Sequence, residues 1–98
     1  MGAPSEVTDT TPPTEPTGLA TKSLGGRRVA VSWHAGTDGG PSPVGYLVLR
    51  GRLAVARVST PYYVDQPGSA GIYSYRVIAF DGYGNTSASL RVDGIAAP

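Results

Sequence analysis

The sequence contains no cysteine and only one histidine among its 98 residues. Without cysteine the chain can form no disulfide and no zinc site built on thiolates. The absence also argues against an antibody-type domain, in which a disulfide joins the two sheets beside a core tryptophan. A single histidine leaves His34 as the one candidate base for a hydrolase of the Ser-His-Asp kind.

Strong charge and long apolar runs are missing as well. Eight Lys and Arg residues against seven Asp and Glu give a net charge of +1, and the arginines are scattered along the chain. Nucleic-acid binding normally uses a basic stripe, so no nucleic-acid partner is expected. No apolar run approaches the ~18 residues of a membrane span, and Met1-Gly2 leads into a polar stretch instead of a signal peptide. No membrane partner is expected either.

Glycine and proline are abundant, at 14 and 9 residues. Residues 3–17 hold four prolines and five threonines and almost no side chain that could be buried. Proline supplies no amide donor and favours an extended chain, which indicates a linker. We therefore assign residues 1–15 to a Pro/Thr-rich linker headed by residues left from expression, residues 16–95 to one domain, and residues 96–98 to a tail.

The domain shows the alternation of strands that have one buried face. In the segments 29–33 (VAVSW) and 73–79 (YSYRVIA), apolar or aromatic residues fall on every second position. Strands are predicted near residues 18–23, 28–35, 44–50, 53–59, 61–65, 72–80 and 87–93. Their number and spacing predict an all-β fold, a seven-stranded antiparallel immunoglobulin-like sandwich. The expected inward side chains are Leu19, Val29, Val31, Trp33, Tyr46, Val48, Tyr63, Tyr75, Val77, Leu90 and Val92.

From about residue 14 to residue 95 the chain resembles a fibronectin type III domain, particularly the form found between the domains of secreted bacterial enzymes. The segments that carry the resemblance are 9–19 (DTTPPTEPTGL), 29–33 (VAVSW), 44–50 (VGYLVLR), 62–65 (YYVD) and 71–85 (GIYSYRVIAFDGYGN). The resemblance implies that Trp33 is the central core residue. It also implies that Tyr73 is the tyrosine-corner residue, whose hydroxyl bonds to the backbone just upstream. One position departs from the family, because Pro67 stands where a leucine is common, and this implies a repacked crossing before the sixth strand.

Residues that could carry catalysis are few. His34 falls on the outward phase of its strand with Ser32, and Asp38 is near in sequence. However, there is no Gly-x-Ser-x-Gly turn, and a flat sheet face offers no oxyanion hole. The acidic residues lie in the linker, in turns or at strand ends, and the Asp-Gly pairs at 38–39, 81–82 and 93–94 fit turns. We expect no catalytic residue, no cofactor and no metal site.

The predicted turn between the sixth and seventh strands is the one feature that indicates a binding site. Tyr83 lies there between two glycines, where no core would bury it. Exposed aromatic residues on loops can stack on sugar rings or anchor a protein partner. Tyr83 and Asn85 are therefore the candidate binding residues. The alternative is that Tyr83 lies back over the end of the sandwich or against a neighbouring domain.

Two functional hypotheses follow. The first is a non-catalytic spacer or interaction module of a larger extracellular protein, which by the resemblance would be a secreted bacterial enzyme acting on polysaccharide. Its partners would be the neighbouring domains. The second is a binding module that recognises a polysaccharide or a cell-surface protein through the B–C loop (between strands two and three) and the F–G loop (between strands six and seven). A monomer is expected, because Arg57 and Pro61 near a sheet edge oppose edge pairing.

Overall fold

The computed structural model of the chain describes residues 13, 15–35, 45–82, 84–87, 89 and 91–98. Within these residues the chain forms seven strands and no helix long and apolar enough to cross a membrane. Asp38, Tyr83 and Leu90, named above, lie outside the described residues. The strands are β1 (Thr17–Gly25), β2 (Arg28–His34), β3 (Gly45–Arg50), β4 (Leu53–Val58), β5 (Tyr62–Asp65), β6 (Gly71–Phe80) and β7 (Arg91–Ala96).

The strands form two antiparallel sheets. One has three strands in the order β1-β2-β5, and the other has four in the order β4-β3-β6-β7. A two-residue turn joins β1 to β2, and its central residues Gly26 and Arg27 both have positive φ, as a type I′ hairpin turn requires. The predicted seven-stranded antiparallel sandwich is confirmed.

The core lies between the inner faces of the two sheets. Alternate residues of β2, β3 and β6 point into it, and Val29, Val48 and Tyr75 are fully buried. Trp33 of one sheet meets Tyr46 of the other edge to face, with ring centroids 5.4 Å apart. Both sequence segments that showed clear alternation therefore supply the centre of the core. The buried cluster comprises Val29, Val31, Trp33, Tyr46, Val48, Tyr75, Val77, Ala79 and Ala96, with Leu19, Tyr63 and Val92 among the half-buried residues packed against it.

The crossing from β5 to β6 has the predicted tyrosine corner. The Tyr73 hydroxyl donates a hydrogen bond of 2.8 Å to the backbone oxygen of Ser69. Pro67, in the same crossing, is fully buried.

The seventh strand differs from its prediction. It was expected over residues 87–93 but runs from Arg91 to Ala96. Before Arg91 the pairing with β6 is irregular. The hydroxyls of Ser87 and Ser89 accept the amides of Ala79 and Val77 at 3.0 and 2.9 Å, and the Ser87 backbone amide donates to the Ala79 backbone oxygen at 2.9 Å. Regular pairing with β6 therefore begins only at Arg91.

The Asp93-Gly94 pair was predicted to form a turn, and this was wrong. Both residues lie inside β7. Gly94 faces the core, where an added Cβ would lie 2.8 Å from Val29 Cγ1 and 2.9 Å from Tyr75 Cε2. The glycine is needed for close approach between strands and not for a turn. Ala96, the last residue of the strand, is buried one position beyond the predicted domain boundary at residue 95.

A buried polar cluster joins the two sheets at one end of the sandwich. Arg50, at the end of β3, donates to both carboxylate oxygens of Asp65, at the end of β5, over 2.9 and 2.7 Å. The Tyr75 hydroxyl donates to Asp65 Oδ2 at 2.6 Å. The side chain of Asp65 is only 5% exposed, so its charge depends on these two partners. Burial, followed by the hydrogen bond to Asp65, raises the pKa of the Tyr75 phenol well above its usual value.

We predict that Trp33→Ala nearly unfolds the chain. Truncating a buried tryptophan costs roughly 3–5 kcal/mol out of the ~5–15 kcal/mol that holds a domain together. Thermal unfolding followed by circular dichroism measures the effect. Leu53→Ala serves as the control, because Leu53 is 58% exposed on β4, and it should melt close to the parent. A Trp33→Ala variant melting within a few degrees of the parent would show that the core is wrongly assigned.

We also predict that stability falls as the pH rises above ~10, the ordinary pKa of tyrosine. The pKa of Tyr75 is higher in the folded chain than in the unfolded chain, so its contribution is complete below pH ~10 and is lost as the pH rises beyond it. Denaturant unfolding between pH 8 and pH 12 measures this. Tyr75→Phe should be less stable at pH 8, by about 1–3 kcal/mol, and should decline less steeply at alkaline pH. Tyr62→Phe, which removes an exposed phenol, should keep the parental slope. Equal slopes for Tyr75→Phe and the parent would contradict the assignment.

Candidate functional site

The segment after β6 forms a turn that Asp81 closes. The Asp81 backbone amide donates to the Asn85 backbone oxygen at 3.1 Å. Its carboxylate accepts the Asn85 backbone amide at 2.9 Å and the Asn85 side-chain amide at 3.0 Å. Asp81 is 8% exposed, so the turn is anchored in the end of the sandwich.

This geometry gives Asn85 a structural task. Its side chain is half-buried and donates to Asp81, which accounts for an asparagine here without a ligand. Tyr83 lies between Gly82 and Gly84 in this turn but outside the described residues, so the proposed contact of Tyr83 and Asn85 with a ligand stays a prediction.

His34 is placed at the surface, as its strand phase predicted. Its ring lies against the backbone of Gly18, where an added Cβ would overlap His34 Cδ2. Among the described residues, His34 makes no hydrogen bond to Ser32 or to a carboxylate. The described part of the chain also brings together no group of three or more His, Cys, Asp or Glu side chains that could hold a metal ion.

The four-stranded sheet carries a basic groove on its outer face, which we call the arginine groove. The groove has a volume of about 570 Å³ and is lined by Gly51, Arg52, Ser74, Arg76, Ser89 and Arg91. Arg76 and Arg91 are directly opposed partners in the β6–β7 ladder. Arg52 lies beside them, on the turn between β3 and β4. This turn is held against β6 by a 2.8 Å hydrogen bond from the Gly51 backbone amide to the Ser74 backbone oxygen.

Sequence reasoning missed the arginine groove. Arg52, Arg76 and Arg91 lie on three separate segments of the sequence. Arg50 and Arg52 are close in sequence, yet Arg50 binds the buried Asp65 while Arg52 lines the groove. The outward phase of Arg76 was readable from its neighbours Tyr75 and Val77. Its pairing with Arg91 was not, since the seventh strand was predicted without a register against β6.

A second exposed feature lies further along the same face. Ile72 and Ile95 are cross-strand partners and are 71% and 57% exposed. They stand near the end of β7, beside the point where the chain leaves the sandwich. Nothing in the described residues covers them.

Comparison with known proteins places this fold within longer bacterial enzymes. No family model matches the chain. Over 83 residues it is 42% identical to Exoglucanase B of Cellulomonas fimi, which covers 83% of this chain and 8% of that protein. Over 86 residues it is 43% identical to Exoglucanase A of the same organism, covering 85% and 10%. Over 89 residues it is 36% identical to Chitinase Chi52 of Paenibacillus xylanexedens, covering 90% and 17%.

A solved structure shows the same fold. The spore cortex lytic enzyme SleM of Clostridium perfringens superposes with a TM-score of 0.66 at 21% identity, over 89% of this chain and 29% of that chain.

The chain spans only 8% and 10% of the length of the two exoglucanases that it matches. It is similar to one short segment shared by several much longer bacterial enzymes.

Proposed function

We propose that this chain is a fibronectin type III domain that acts as a non-catalytic spacer in a larger secreted bacterial protein active on polysaccharide. Its likeness to short segments of two exoglucanases and a chitinase supports the choice of parent. The tyrosine corner at Tyr73 and the core at Trp33 and Tyr46 support the domain type. Its partners are then the neighbouring domains of the same chain.

The observation that carries the spacer proposal is the position of the two chain connections. β1 begins beside the end of β2, where Thr17 pairs with His34. β7 ends at the opposite end of the sandwich, where Ala96 pairs with Gly71 and the Arg27 amide donates to the Ala97 oxygen at 2.6 Å. The ten residues of β6 span this distance, about 33 Å at ~3.3 Å per residue. Neighbours attached at the two ends would therefore be held apart by the length of the sandwich.

Both connections are fixed to the sandwich. Pro13 and Pro16, at the incoming end, are buried. At the outgoing end the Arg27 guanidinium donates to the Gly68 oxygen at 2.7 Å, and the Gln66 side-chain amide donates to the Gly26 oxygen at 3.1 Å. Because backbone near each connection is tied down, the domain would set the orientation of its neighbours as well as their separation.

The test compares the domain with a flexible linker of the same residue count. Two fluorescent proteins are fused to the two ends of the chain, and in the control a Gly/Ser sequence replaces residues 16–96. Energy transfer lifetimes should give a narrow distance distribution for the domain and a broad one for the flexible chain. Equally broad distributions would contradict the spacer function.

A second candidate function is recognition of a polysaccharide through the turn at Asp81–Asn85. The observation that favours it is the closed, anchored turn on either side of residue 83. Depletion of the purified chain by insoluble chitin, cellulose and bacterial cell wall would show binding, and Tyr83→Ala should weaken it at least tenfold. Asn85→Ala should instead lower the melting temperature, because it removes a hydrogen bond worth about 1 kcal/mol. Depletion that Tyr83→Ala leaves unchanged would exclude this site.

A further inference from the structure

We propose that the arginine groove is a binding site for the carboxylate groups of an acidic polysaccharide. The groove lies on the outer face of the four-stranded sheet, away from the turn that holds Tyr83 in the sequence. The site itself follows from the described residues, and only the choice of a polysaccharide as the carrier of the carboxylates rests on the proposed function.

The groove carries three arginines that form no ion pair with the described residues. Like charges directly opposite one another in a sheet destabilise the pair, and Arg76 and Arg91 stand in this relation. Neither they nor Arg52 form an ion pair or a side-chain hydrogen bond with another described residue. Asp93 lies two positions along β7 on the same face, but no guanidinium nitrogen comes within ion-pair distance of it. A bound anion between the arginines would remove the repulsion.

The backbone segments that carry the arginines are also fixed, so that their guanidinium groups could donate hydrogen bonds to a planar anion. Arg76 and Arg91 are on paired strands, and the hydrogen bond from Gly51 to Ser74 fixes the turn that carries Arg52. A guanidinium group presents a rigid fork of donors that matches a carboxylate. Ser74 adds a hydroxyl to the lining of this open groove, whose volume is about 570 Å³.

The lining argues against nucleic acid and neutral polysaccharides as ligands. Among the described residues it contains no aromatic side chain, so it offers no platform on which nucleic-acid bases could stack. The net charge of +1 also gives no extended basic stripe for a phosphate backbone. For the same reason a neutral glucan gains little here, because the groove has charge to offer and no ring face. Carboxylates spaced along a sugar chain fit these donors.

The experiment is a titration of the whole chain with short oligogalacturonates, followed by amide chemical shifts and by calorimetry. We expect saturable binding that weakens with salt, with the largest shifts at residues 51–52, 74–76 and 91. Cello-oligosaccharides at the same ionic strength should give none. The variant R76Q/R91Q should bind at least tenfold more weakly. The control K22Q/R28Q removes the same charge from the three-stranded sheet and should bind like the parent.

Two further readouts keep the result interpretable. Arg91→Gln alone should raise the melting temperature of the free chain by roughly 1–5 °C, since it removes the repulsion with Arg76, and this shows that the groove variants fold. The proposal is overturned by equal binding of R76Q/R91Q and the parent, by absence of oligogalacturonate binding, or by tighter binding of inorganic phosphate or duplex DNA. None of these substitutions touches the two chain connections, so failure here leaves the spacer measurement independent.

Discussion

The hydroxyl of Tyr75 is the point on which the two sheets depend. The ring is fully buried between them, and a buried phenol must find a hydrogen-bond partner. It donates to Asp65 of the three-stranded sheet, whose charge is in turn held by Arg50 of the four-stranded sheet. Removing either partner would leave a buried polar group unpaired. The same ring requires Gly94 on β7, because a Cβ there would collide with it. The Tyr75 side chain on β6 thus constrains residues of three other strands, β3, β5 and β7.

The sequence predicted the parts of this fold that depend on alternation and failed where side-chain hydrogen bonds interrupt the regular strand ladder. The strands around Trp33 and Tyr75 were found because their apolar residues alternate. Tyr73 was found by family resemblance, and its hydrogen bond to Ser69 agrees. The seventh strand was misplaced because Ser87 and Ser89 also look like strand residues. Only the structure shows that the hydroxyls of both serines accept backbone amides of β6, which interrupts the regular ladder there.

The same local irregularity explains why the arginine groove was missed. Since the β6–β7 ladder starts at Arg91, the pair Arg76–Arg91 is its first rung, and Ser89 just beyond it forms part of the groove wall. The predicted strand carried no register against β6, so it gave no reason to place the two arginines together. For Asn85, the structure adds a structural contact, because its side chain donates to Asp81, and its role in binding stays a prediction.

The two faces of the four-stranded sheet differ, with the packed core on the inner face and the arginine groove on the outer face. The inner face carries the packed core, where a change of one methyl group is felt, so it has no freedom to vary. The outer face carries Arg76 and Arg91 at a position where their repulsion is solvated and costs at most about 1 kcal/mol. A small sandwich can bear that cost because other contacts join its two sheets. One is the cluster around Asp65, and another is the Thr21 hydroxyl, which donates to the Asp93 backbone oxygen at 2.7 Å. The proposed spacer role uses the two ends of the sandwich, and the proposed site for a charged polymer lies along its side. Neither task draws on residues needed for the other.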